Sequence, residues 1–296
     1  MGGRNRFPSG YFLVRDGEKN YFMKITASRH APRIRDADRM AAFVKEHGVG
    51  VSCLLPGFPR LADDRHTLFA YPYVDGGFSY GEPRQLASLG RALAQLHRAL
   101  RRCPWRQRVR RHGMARHRML LNRLQLIQRG HHGNIPAAAL SLLERVSGDR
   151  MEILYPNAQV IHGDLNAGNI LFSHRNGHPV FLDFEDSLTA WFSPLTDLAY
   201  LLERFALTGS SALPATELIL RNYYRGGGVR FESVDQLNWI LQALAIRALL
   251  LLAEKTGRQN EAPPATGEWE KFITLYHAAT RQDGQMAALI DRLRRT

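Results

Sequence analysis

The sequence predicts an α+β chain of two lobes: a small antiparallel-sheet lobe over residues 1–75, then a larger, mainly helical lobe over 76–296 with one hairpin inserted in it. Three observations predict this. The early residues hold short runs rich in aromatic and β-branched side chains. Beyond Gly77, leucines at three- and four-residue steps take over. Residues 158–184 then return to strand character around an Asn-Gly pair. A chain of 296 residues exceeds the usual single-domain size, so two lobes sharing a cleft is its natural arrangement.

GYFLVR (10–15) and NYFMKIT (20–26) flank DGEKN, which has turn chemistry, and so read as a hairpin. Residues 33–47 have helical spacing, with Ile34, Ala37, Ala41 and Val44 on one face and Gly48 as the stop. Two extended segments follow, VSCLLPGFPRL and HTLFAYPYV, the second ending at Asp75-Gly76-Gly77, whose glycine pair is the candidate hinge. In PRQLASLGRALAQLHRAL, Leu86, Leu89, Leu93, Leu96 and Leu100 form one apolar stripe. Further helices are expected at 115–129, 137–147, 195–206, 215–225, 234–255 and 268–294. The apolar run from Trp239 is broken by Gln242 and Arg247 and reads as a buried core helix, too short to span a bilayer.

Hydrophobic residues make up 45% of the chain, which excludes a disordered protein. Cys53 and Cys103 make neither a disulfide framework nor a metal cluster, and no signal-peptide run opens the sequence. A cytoplasmic protein with no disulfide partner is the expectation. The net charge of +13 is uneven. No Asp or Glu lies between Glu82 and Glu144, whereas arginine recurs from Arg84 to Arg129. Such a block suits an anionic substrate, a membrane surface or nucleic acid, or else is a solvated helical face.

VIHGDLNAGNILFS (160–173) reads as strand at both ends yet carries Asp164, Asn166 and Asn169, which are expensive to bury without partners. Folding the chain back about Asn176-Gly177 pairs Ile170–Ser173 with Val180–Phe184. Asn169 and Asp183 then meet at the open end, with Asp164 on the loop just before. Oxygen ligands converging in this way suit a hard cation and a phosphate. The spacing matches the catalytic loop of kinases, an Asp, an Asn five residues on, and a second Asp on a following strand.

HGDLNAGN followed by FLDFED resembles the aminoglycoside phosphotransferase and choline kinase-like superfamily, which shares the bilobal protein-kinase-like fold. SPLTDLA with Pro194 and Asp197, LAQLH (93–97) and YPYVDG (71–76) extend the resemblance over nearly the whole chain. It implies a Mg²⁺-dependent phosphotransferase using ATP or GTP, with a hydroxyl group on a small molecule as acceptor. Asp164 would be the catalytic base or the orienter of the acceptor hydroxyl, Asn169 and Asp183 the Mg²⁺ ligands, and Asp197 a brace of the catalytic loop. Lys24 would reach the nucleotide phosphates, and the backbone of Tyr71, Tyr73 and Val74 would meet the base. His162 is expected as a hydrogen-bonded brace of the loop.

Two departures from the family stand out. The family has a strand before its small-lobe glycine loop, whereas this sequence opens at GGRNRF, inside what should be that loop: either the start lies upstream or the first strand is missing, which bears on nucleotide affinity more than on fold. The family's lysine partner is a glutamate on the following helix, and here the inward candidate is Asp38. Glu185 is given a surface or capping role.

An arginine-rich lobe disfavours polycationic aminoglycosides, and choline would need an aromatic or acidic cage. The expected acceptor is therefore a neutral or anionic compound such as a sugar, a sugar acid or an amino-alcohol phosphate. The rival reading is a catalytically weak protein of the same fold that holds nucleic acid or an anionic membrane through its arginine block, with binding that falls steeply as salt rises.

Overall fold

The structure, a computed structural model, describes residues 10–78, 81–207, 212–256, 265–280 and 284–295. The GGRNRF segment, and with it the question of the glycine loop, lies outside the described residues.

The expected hairpin forms: β1 (Gly10–Asp16) pairs antiparallel with β2 (Lys19–Ala27). α1 (Ala31–Glu46) buries Ile34, Ala37, Ala41 and Val44, the stripe expected from spacing, and Met40 as well. β3 (Arg60–Leu61) and β4 (His66–Pro72) complete a four-stranded sheet in the order β1-β2-β4-β3. VSCLLPGFPRL is therefore mostly loop, held by the Leu55 amide donating to the Ala70 carbonyl. Its prolines at 56 and 59 carry no N–H for a ladder.

The glycine pair is not a free hinge. Gly76–Gly77 is a short strand, β5, paired with what becomes the first strand of the catalytic hairpin through Gly76↔Ser173 and Gly77↔Phe172. A Cβ on Gly76 would lie 2.6 Å from the Phe172 carbonyl oxygen, so glycine here serves close approach of two backbones.

The helical part begins with α2 (Pro83–Arg101), whose five stripe leucines are all buried. α3 (Arg106–Gln128) starts well before the expected residue 115. Its first turns are arginine-rich, a good helix-forming composition with almost no apolar periodicity to announce it. α4 (Ala137–Arg145), β6 (Gln159–Val160), β7 (Ile170–Ser173), β8 (Pro179–Phe181) and β9 (Trp191–Phe192) follow. Then come α5 (Pro194–Phe205), α6 (Ala212–Arg225), α7 (Val234–Thr256), α8 (Thr266–Ala278) and α9 (Gly284–Arg295). The single helix expected at 268–294 is thus two helices.

α7 is 23 residues long, enough in length and composition to cross a bilayer, contrary to the expectation from its apolar run. It is a core helix nonetheless, burying Leu237, Ile240, Leu241, Ile246, Leu249 and Leu250 among its neighbours.

α2 and α6 pack so closely that a Cβ on Gly90 would stand 2.3 Å from the Ile219 carbonyl oxygen, which is backbone and cannot turn aside. Gly90→Ala is expected to destabilise the chain by about 1–3 kcal/mol through overpacking, despite the better helix propensity of alanine. A thermal melt should read this as a fall of several degrees. An unchanged melt would mean that the two helices are not in this contact.

Candidate active site

β7 and β8 pair as expected through Ile170↔Phe181 and Leu171↔Val180. At the open end the Leu182 amide donates to the Asn169 carbonyl at 2.9 Å, which brings Asn169 beside the Leu182–Asp183 step. Asp183 is in the left-handed region, at φ 56°, where the chain turns sharply off the strand.

Asp164 sits in a web of amides. Its Oδ2 accepts from Asn169 Nδ2 at 2.9 Å and from Asn166 Nδ2 at 3.0 Å. Asn169 Nδ2 also donates to the Asp164 carbonyl at 2.9 Å. Asn166 caps the following turn by accepting from the Gly168 amide at 2.7 Å. The polar residues in the strand-like segment are thus mutually satisfied, which answers the cost of placing them there.

The loop is braced from behind. Asp197, 1% exposed, lies in the first turn of α5, which is set by Ser193 as N-cap and Pro194 after it. Its Oδ2 accepts from the His162 amide at 2.8 Å and its Oδ1 from the Gly163 amide at 2.9 Å. His97 Nε2 lies 3.1 Å from the same Oδ2, and its Nδ1 lies 2.8 Å from the Tyr223 hydroxyl. His162 Nε2 donates to the Leu182 carbonyl at 2.9 Å, tying the loop to the hairpin mouth. Gly163 has φ 86°, and a Cβ there would come within 2.6 Å of the Ala190 Cβ, so only glycine fits.

Lys24 Nζ pairs with Glu185 Oε1 at 2.9 Å, and Arg33 Nε reaches Glu185 Oε2 at 3.3 Å. This corrects the expectation of Asp38. Asp38 instead accepts from the Leu54 amide at 2.7 Å, and burial pushes its carboxyl above the usual range despite that bond. Burial works against the Lys24 charge, but Glu185 more than offsets it, so the ammonium is held above its ordinary pKa. The carboxylate facing the lysine comes from the segment after Asp183, not from the helix. Its sequence signal was only adjacency, in the run Asp183-Phe184-Glu185.

Lys24, Asp38, Tyr71, Tyr73, Val74, Asn169 and Asp183 all border one cavity of about 530 Å³, together with Glu185. Tyr11 and Phe22 border it too, stacked with ring centroids 5.7 Å apart. Sequence reasoning missed this pair because strand aromatics look like core. Asp164 is not on the cavity wall; it stands behind Asn169, toward the helical part.

A divalent cation fits the hairpin mouth. Asn169 spends its amide nitrogen on Asp164, which leaves its oxygen as the outward acceptor. Among the described residues, the Asp183 carboxylate accepts one hydrogen bond, at 3.3 Å from the Glu185 amide. No cluster of three or more His, Cys, Asp or Glu occurs among the described residues. The donor set is therefore two oxygens with room for phosphate and water, which suits Mg²⁺ rather than zinc.

Parts of the arginine block are used inside the fold. Arg91 donates to Asn222, Arg101 to Gln159, Arg108 to Asp36 and Arg116 to Thr189. Cys53 and Cys103 are free thiols.

A family model described as the phosphotransferase enzyme family matches residues 8–229. This match defines a phosphotransferase. With well over half of its length matched, the chain belongs to that family. No curated protein sequence matches the chain. Among solved structures, one similar chain is a choline/ethanolamine kinase family protein from Mesorhizobium loti, at TM-score 0.59 and 16% identity, covering 100% of this chain and 92% of that one. Another is a spectinomycin phosphotransferase in complex with ADP and spectinomycin, at TM-score 0.57 and 13% identity, with coverage of 100% and 92%. A third is an aminoglycoside phosphotransferase from Alicyclobacillus acidocaldarius, at TM-score 0.51 and 17% identity, with coverage of 96% and 91%. At these identities the likeness is one of fold.

Proposed function

We propose that the chain moves the γ-phosphoryl group of ATP or GTP to a hydroxyl group of a small acceptor, neutral or anionic in character. The observation that carries this reading is the single bond network joining Asp164, Asn169 and the mouth of the hairpin at Asp183, beside a cavity that also holds Lys24. Phosphoryl transfer asks a protein mainly for positioning and charge neutralisation. The similar structures support a nucleotide donor, since the spectinomycin phosphotransferase holds ADP.

In this reading Lys24, kept charged by Glu185, binds the donor phosphates, and Tyr71 to Val74 present backbone to the base. Asn169 and Asp183 would hold Mg²⁺, which would neutralise phosphate charge. Asp164 accepts the acceptor's hydroxyl proton as that oxygen bonds to the γ-phosphorus. The bond from phosphorus to the β–γ bridging oxygen breaks, and the nucleoside diphosphate leaves. The amides of Asn166 and Asn169 keep the Asp164 carboxylate turned to one orientation while this happens.

The direct test is thermal unfolding with and without Mg²⁺ and ATP or GTP, beside Asp183→Asn. Nucleotide at about a hundred times its dissociation constant adds roughly 2.7 kcal/mol, a shift of several degrees for a chain of this size. A metal-dependent shift that Asp183→Asn abolishes is the expected result. No shift with either nucleotide would remove the phosphotransfer reading.

A further inference from the structure

α7 carries a guanidinium that no carboxylate neutralises directly. Arg247 is half-buried, and among the described residues it makes no hydrogen bond or ion pair. Its guanidinium carbon lies 5.0 Å from the centre of the Phe192 ring on β9. Burial, and then the neighbouring Arg116 charge, bring its pKa down to about 10 against the opposing pull of Asp186 and Tyr155. It is still a cation at neutral pH, held where a cation is costly.

Arg116, from α3, reaches the same place. Its Nη1 donates to Thr189 Oγ1 at 3.0 Å and stands 3.9 Å from Asp186 Oδ1. That carboxylate is shared, because Arg33 Nη2 also lies 3.1 Å from Asp186 Oδ1. Asp186 thus faces Arg33 and Arg116, Arg33 being shared with Glu185, while Arg247 has no carboxylate in direct contact among the described residues. Two like charges brought together out of water repel unless an anion joins them, and paired guanidinium groups match a carboxylate or phosphate group in shape.

The position connects this pair to the chemistry. α3 lies tight on the segment that carries Thr189, since a Cβ on Gly113 would be 2.7 Å from the Thr189 carbonyl oxygen. That segment in turn packs on the residue before Asp164: a Cβ on Gly163 would be 2.6 Å from the Ala190 Cβ and 3.6 Å from the Asp186 Cβ. Neither Arg116 nor Arg247 borders the cavity that holds Lys24 and Asp183. The cationic pair therefore stands beside the catalytic loop and apart from the donor cavity.

We propose that Arg247 and Arg116 bind an anionic group of the acceptor, a carboxylate or a phosphate ester, so that the substrate is an acidic hydroxy compound. This rests on the phosphotransfer reading above and names the acceptor class for it. The same pair repels a polycation from the loop, so discrimination comes from repulsion as well as attraction.

The test uses the full chain with a non-hydrolysable ATP analogue and Mg²⁺ present, so that the donor site is occupied. Inorganic phosphate and glycerol 3-phosphate, with glycerol as the neutral control, are titrated against the melting temperature. The proteins compared are wild type, Arg247→Met, which keeps an unbranched side chain against Phe192, and Arg247→Lys, which keeps the charge. Both anions should stabilise wild type, Arg247→Met should need about tenfold or more higher anion for the same shift, and Arg247→Lys should restore part of it. No stabilisation of wild type, or equal shifts in wild type and Arg247→Met, overturns the proposal. If Arg247→Met does not fold, Arg116→Gln takes its place with the same two outcomes.

Release of ADP from ATP is then followed with hydroxy acids and phosphate esters, each beside its neutral counterpart. Turnover of the anionic members, competitively inhibited by phosphate, supports an acceptor subsite. Preference for the neutral members, or inhibition that acceptor does not relieve, overturns it. The analogue's own shift, and its loss in Asp183→Asn, reports separately on the phosphotransfer reading, so the two can fail independently.

Discussion

Asp164→Asn is expected to lower kcat by about 10²–10⁴-fold, the usual contribution of a positioned general base. The substitution isolates that role. Both neighbouring amides donate to one oxygen, Asp164 Oδ2, and an asparagine can keep an oxygen there for Asn166 and Asn169. The loop then keeps its bonds while the group loses its capacity to take a proton. Melting temperature and nucleotide-induced stabilisation should stay close to wild type, with the loss confined to turnover. A steady-state assay of ADP release on an accepted substrate decides it. Turnover near the wild-type rate would remove Asp164 from the chemistry.

Asp197→Ala should act mainly through stability. The carboxylate is almost fully buried and accepts from two loop amides and lies within hydrogen-bond distance of His97. Removing it leaves the His162 and Gly163 amides without partners, at about 1–3 kcal/mol each. A loss of about 3–5 kcal/mol is in line with breaking other buried charged networks. At roughly 2–4 °C per kcal/mol the melt should fall by about ten degrees. Asp197→Asn should lie between, because one amide oxygen can serve only one side of the pair of donors. A melt within a degree or so of wild type would mean that the loop is held by something else.

The site was legible in the sequence wherever chemistry and local geometry pointed the same way. Asn176-Gly177 fixed where the hairpin turns, and from that alone Asn169 and Asp183 had to meet. The leucine stripe of α2 was legible because its burial is one-sided. Glu185 was not. A carboxylate that pairs with Lys24 from 161 positions away leaves no periodic trace, and Asp38 offered a plausible acid on the correct face of α1. Asp38 does face inward, but the Leu54 amide takes it first. His97, Tyr11 and Phe22 were hidden for a related reason: on a buried stripe or a strand, a functional side chain has the same spacing as a packing one. The glycine pair at 76–77 misled in the opposite direction, since freedom of backbone and close approach of backbone ask for the same residue.

That glycine strand has a mechanical consequence. The catalytic hairpin is gripped along both edges by segments that come straight from the sheet-rich part: β5 on β7, and Gly50 and Val51 on Phe181. Asn169 and Asp183 therefore ride with the chain's crossing points as well as with the loop that Asp197 braces from α5. A tilt of the sheet cannot leave the two metal-side oxygens behind. The lever and the jaw are one piece.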